Sequence, residues 1–107
     1  MPYIHVVAFT YRSDVTDSDK AELVKSLRAL ETECVNEQGK PYIRDFKLGE
    51  ANISPEGAGK GFEHLFIVTF DSKKDVQYYL EKDPVHVAFG ERAKAMLSDC
   101  FIYDFEQ

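Results

Sequence analysis

Alternation of apolar and polar positions divides the chain into strand, helix, strand, strand, split helix and strand. In PYIHVVAFTY one face carries Tyr3, His5, Val7, Phe9 and Tyr11, and the other Ile4, Val6, Ala8 and Thr10. A period of two predicts a strand, and apolar residues on both faces predict a cover on both. Helical spacing takes over in TDSDKAELVKSLRALETEC, where Leu23, Leu27, Leu30 and Cys34 form a stripe that Val24 widens. Thr16 with Asp19 gives a capping signal, and Gly39 with Pro41 is expected to close the helix. YIRDFKLGEA is more polar, as suits an edge strand, and the glycine-rich NISPEGAGKG reads as a loop. KGFEHLFIVTFD is the strongest strand, with Phe62, His64, Phe66, Val68 and Phe70 on one face and Leu65, Ile67 and Thr69 on the other.

Ser72 opens a short helix whose Val76, Tyr79 and Leu80 are expected to face inward. Asp83 and Pro84 then suit the cap and first position of a second helical piece, because proline's missing N–H costs nothing there. His86 falls in its first turn, and Phe89, Ala93, Met96 and Leu97 continue its face. The closing SDCFIYDFEQ alternates Phe101, Tyr103 and Phe105 with Cys100, Ile102 and Asp104. This order of elements is the α+β, ferredoxin-like split βαβ arrangement: one antiparallel sheet with its helices on one side. The bare face is then expected to meet a second subunit or to line a pocket between subunits.

With 107 residues the chain suits a single domain over residues 1–107. Nineteen acids against thirteen bases give a net charge of -6 with no basic stripe, which argues against nucleic acid and anionic membranes as partners. No long apolar run or signal-peptide pattern is present, so a cytoplasmic location is expected. Cys34 and Cys100 are too few for a disulfide scaffold and are expected to be reduced core residues.

The first-turn position and apolar neighbours disfavour the charged form of His86, so neutral imidazole is expected. That species could serve as a general base, or could be a half-buried ring tied to a backbone carbonyl. His5 and His64 stand in the aromatic rows of neighbouring strands. Tyr3, Tyr11, Tyr79 and Tyr103 could turn hydroxyls to the same space. A pocket including His64, Tyr3, Phe9, Phe66, Phe89 and Tyr103 would suit a flat, hydroxylated aromatic ligand, and a packed dimer core would look alike. The three histidines lack metal-binding spacing, and no phosphate loop, nucleotide fingerprint or nucleophile elbow occurs, so neither metal nor cofactor is expected.

The first strand with His5, GFEHLFIVTFD from Gly61 to Asp71, and DPVHVAF from Asp83 to Phe89 with the closing YDF resemble the stress-responsive dimeric α/β barrel domain family over nearly the whole chain. The resemblance implies two protomers joining their sheets into a shared barrel. Within that family the chain resembles a plant polyketide cyclase that produces olivetolic acid, and this resemblance implies His5 and His86 as acid–base residues assisted by Tyr79. The function so implied is a small cofactor-independent cyclase or lyase-like enzyme abstracting a proton from a polyketide-like or phenolic substrate. The alternative is a non-enzymatic stress-response or small hydrophobic ligand-binding homodimer.

Overall fold

A computed structural model describes all residues, 1–107. Its elements run β1 (Tyr3–Tyr11), α1 (Asp17–Glu33), β2 (Ile43–Gly49), β3 (His64–Phe70), α2 (Lys73–Glu81), α3 (Pro84–Met96) and β4 (Leu97–Glu106). The strands form one antiparallel sheet in the order β2-β3-β1-β4. β1 is central, with His5 opposite Val68 on one side and Asp104 on the other. The odd-numbered side of β1, the even-numbered side of β3 and the apolar stripes of the helices form the core. Val7, Phe9, Phe66, Val68 and Phe70 meet Leu23, Leu27 and Leu30 of α1, Val76 and Tyr79 of α2, and Phe89 and Ala93 of α3.

Each helix starts where its cap stands. Thr16 accepts from the Asp19 amide at 3.1 Å and Ser72 from the Asp75 amide at 3.3 Å. Asp83 accepts from the amides of Val85 at 2.9 Å and His86 at 3.4 Å, with Pro84 following it. α1 ends at Glu33, before Gly39 is reached, because Val35 bridges to Pro41 and the Asn36 side chain accepts from the amides of Gln38 and Lys40. Gly39 instead supplies the left-handed residue of that turn, at φ 75°.

The shared barrel implied by the family resemblance is corrected by the sheet itself, which is open and ends in unpaired edges at β2 and β4. Closure of a small barrel takes about eight strands, and this chain contributes four. The fold is therefore an α+β, ferredoxin-like split βαβ arrangement with an open antiparallel sheet. Its helix-free face leaves Phe101 51%, Tyr103 59% and Phe105 42% exposed, beside Leu65. Cys34 lies in the core as expected, whereas Cys100 is exposed on the edge strand. No helix is long and apolar enough to cross a membrane.

Candidate functional site

α3 leaves a cavity of about 410 Å³ between itself and the β1–β4 part of the sheet. The strands contribute His5, Phe9, Phe66, Cys100 and Ile102 to its wall, and α3 contributes His86, Phe89, Gly90 and Lys94. His86 reaches this place because the start of α3 is anchored twice. Asp83 caps the helix and also accepts a 2.5 Å hydrogen bond from the Tyr42 hydroxyl at the entrance to β2. That carboxylate is 1% exposed, so the anchor is part of the interior.

Three predicted residues meet here. The His86 ring stacks on Tyr79 with centroids 3.7 Å apart, and Tyr79 meets His5 edge-on at 6.1 Å. Tyr79 lies behind the cavity, fully buried, rather than in its wall. The Tyr79 hydroxyl and His86 Nδ1 are both buried without a hydrogen-bond partner. Burial is the main force pushing the His86 pKa down to about 4; the Tyr79 backbone pulls upward, the nearby His5 pushes down, and Asp83 pulls upward. His86 is thus a neutral imidazole at pH 7. Burial also raises the Tyr79 phenol well above its ordinary value.

His5 has a partner of its own. Its Nδ1 lies 2.6 Å from Asp104 Oδ1, and the Tyr3 hydroxyl donates to the other carboxylate oxygen at 2.7 Å. A carboxylate at Nδ1 favours the tautomer with its proton there, leaving the other ring nitrogen as the acceptor. The hydrogen bond from Tyr3 to Asp104 is the first cause raising the Tyr3 pKa to about 12.

The remaining predicted residues divide by place. Phe9, Phe66 and Phe89 line the cavity, whereas Tyr3 belongs to the Asp104 network. Tyr103 pairs with Val6 and stands on the helix-free face. His64 sits at the far end of the sheet, with Nδ1 2.7 Å from the Tyr11 hydroxyl and its pKa lowered mainly by burial. It borders a larger hollow of about 630 Å³ whose wall is mostly the loop over residues 50–63. That hollow holds neither His5 nor His86; its own titratable side chains are Lys60, Glu63 and His64. No cluster of three or more His, Cys, Asp or Glu side chains is placed to hold a metal ion.

Sequence reasoning missed Asp104, Gly90 and Lys94. Asp104 reads as an isolated acid until β1 and β4 are paired, when strand parity puts it opposite His5. Gly90 and Lys94 follow His86 at successive four-residue steps, a signal present in the sequence although neither residue is apolar in the usual sense of a core stripe.

No curated protein matches the chain by sequence. Among solved structures, a protein from Arabidopsis thaliana is similar at 25% identity, covering 98% of this chain and 94% of that one, with a TM-score of 0.82. A hydroxynitrile lyase from Passiflora edulis shares the fold at 18% identity and a TM-score of 0.84, covering 97% and 91%. A dimeric protein of unknown function with a ferredoxin-like fold, from Bacteroides fragilis, is 25% identical over 99% and 96% of the two chains, with a TM-score of 0.72. The Stress responsive A/B Barrel Domain family matches residues 4–107, and the chain belongs to that family.

Proposed function

We propose that the chain is a homodimeric protein that binds a small, largely apolar molecule in the cavity between α3 and the sheet. The observation that carries this function is a cavity of about 410 Å³, walled by three phenylalanines and a histidine whose burial keeps it neutral. Ligand pockets commonly measure roughly 300–1,000 Å³ and combine an apolar wall with a few polar groups. A histidine pushed down to about 4 is a weak base at neutral pH, whereas an effective general base has its pKa near the working pH. His86 therefore suits reception of a hydrogen bond better than removal of a proton.

One observation favours a second function, proton abstraction from a phenolic or polyketide-like substrate: the 2.6 Å pairing of Asp104 with His5, which lines the cavity. In that chemistry His5, held by the carboxylate, takes the proton, while His86, its ring backed by Tyr79, orients the substrate. The relatives do not single out polyketide cyclisation, and the Passiflora edulis enzyme at 18% identity supports only the fold. Turnover of a poly-β-ketone substrate that is lost in His5→Gln would favour the enzyme.

The dimer is supported by the exposed aromatic row on the helix-free face and by the dimeric Bacteroides fragilis relative. Sedimentation equilibrium at micromolar concentration is expected to return a dimer, and a monomer would contradict it.

The ligand site is tested at Gly90. A Cβ there meets nothing within 4 Å, so leucine has room to enter the cavity. Replacing a mid-helix glycine also removes a helix penalty of about 0.8–1.0 kcal/mol relative to alanine, of which leucine regains most. Gly90→Leu is therefore expected to keep or raise Tm while weakening 4-phenylbutan-1-ol binding at least tenfold, as read by calorimetry. Unchanged binding in a folded Gly90→Leu variant would place the ligand elsewhere.

A further inference from the structure

We propose that the ligand of this cavity is an elongated amphipathic carboxylate, with its apolar body along Gly90 and its carboxylate held by Lys94. The inference rests on the ligand-binding function proposed above and adds the chemical class. His86, Gly90 and Lys94 all line the cavity and follow one another at four-residue intervals along α3. Each step turns the helix by only about 40°, so the three form one stripe, and its ends are about 12 Å apart along the axis.

The ends of that stripe differ in charge. At one end His86 is a neutral ring stacked on Tyr79. At the other, Lys94 is the only lysine or arginine in the cavity wall, and none of the ion pairs in the structure uses it. Between them Gly90 exposes bare helix backbone, opposite the apolar side chains of Phe9, Phe66 and Ile102. A cationic end, an apolar middle and a neutral polar end select a molecule with an anionic head and an apolar body of roughly the same length. A cationic head would meet Lys94, and a second carboxylate would meet a half-buried ring that resists protonation.

Glu91 is the one acid in the wall and opposes an anion. It lies about 100° around the helix from Gly90, against about 40° for Lys94, so it stands at the rim while Lys94 stays with the stripe. Lys94 is also in the last turn of α3, where Lys94→Gln forfeits only a small interaction with the helix dipole. The variant is therefore expected to fold.

The experiment compares 4-phenylbutyrate with 4-phenylbutan-1-ol, two ligands of one carbon skeleton, by calorimetry on the full chain at pH 7.5. The parent is expected to bind the carboxylate about fivefold more tightly, the scale of a partly screened ion pair. Lys94→Gln should bring the two ligands within about twofold of each other without changing affinity for the alcohol, and Lys94→Arg should retain the preference. Equal binding by the parent, or a preference that survives Lys94→Gln, overturns the carboxylate assignment and leaves the cavity as the binding site. Failure of both ligands to bind overturns the assignment and the binding function together.

Discussion

Asp83→Ala is expected to destabilise the protein by about 3 kcal/mol, the sum of a lost helix cap of about 1 and a lost buried hydrogen bond to a charged group of about 2. The carboxylate serves both purposes at once. It accepts from the amides of Val85 and His86 and from the Tyr42 hydroxyl, and its removal leaves that hydroxyl buried without a partner. Tyr42→Phe removes only the hydroxyl and should cost about 2 kcal/mol, the hydrogen bond without the cap. Asp83→Asn, which preserves an acceptor for the cap, should fall between the two. Because α3 starts from this cap, the loss should extend to His86, whose amide is one of the donors. Urea unfolding of the three variants measures the series, and a loss below about 1 kcal/mol for Asp83→Ala would show that the cap does not anchor α3.

Acid is expected to remove stability through His86. Its ordinary pKa of 6.5 falls to about 4 in the folded chain, so the unfolded chain binds the proton more readily. The contribution is fully present above pH 6.5 and is lost as pH falls through 6.5 toward 4. By pH 4 the loss from this residue reaches up to about 3 kcal/mol, taking 1.36 kcal/mol for each pH unit. His64, lowered mainly by burial, acts in the same direction. His86→Gln should flatten the difference in stability between pH 7 and pH 4. Ring-carbon NMR of the parent should show His86 titrating well below 6.5; a value at or above 6.5 would mean that the ring is not held neutral by burial.

Much of the site can be anticipated from local patterns, because each relevant signal is short-range. The Asp83-Pro84 pair places the start of α3, and the three-to-four-residue spacing after it puts His86 and Phe89 on the inward side. The odd-numbered positions of β1 likewise bring His5 and Phe9 to the same side as the helices. What local pattern cannot supply is register. His5 and Asp104 are nearly a hundred positions apart, and only the antiparallel pairing of β1 with β4 joins them. Parity within one strand also cannot say which face the helices cover, so Tyr103 looks as suitable a pocket residue as Phe9, although it stands on the opposite face. The edge position of β4 leaves Cys100 exposed despite its apolar neighbours. The expected barrel fails for a related reason: apolar residues on both faces of β1 require a cover, and they do not require the sheet to close.

The cavity as ligand site is tested most directly by following amide and methyl NMR signals while 4-phenylbutan-1-ol is added to the parent protein. Saturable shifts are expected at Val87, Gly90, Ala93 and Ile102, which surround the cavity under α3, with little change at Ala51, Ile53 and Leu65 around the larger hollow. Shifts centred on the loop over residues 50–63, or no saturable shift at all, would contradict binding between α3 and the sheet.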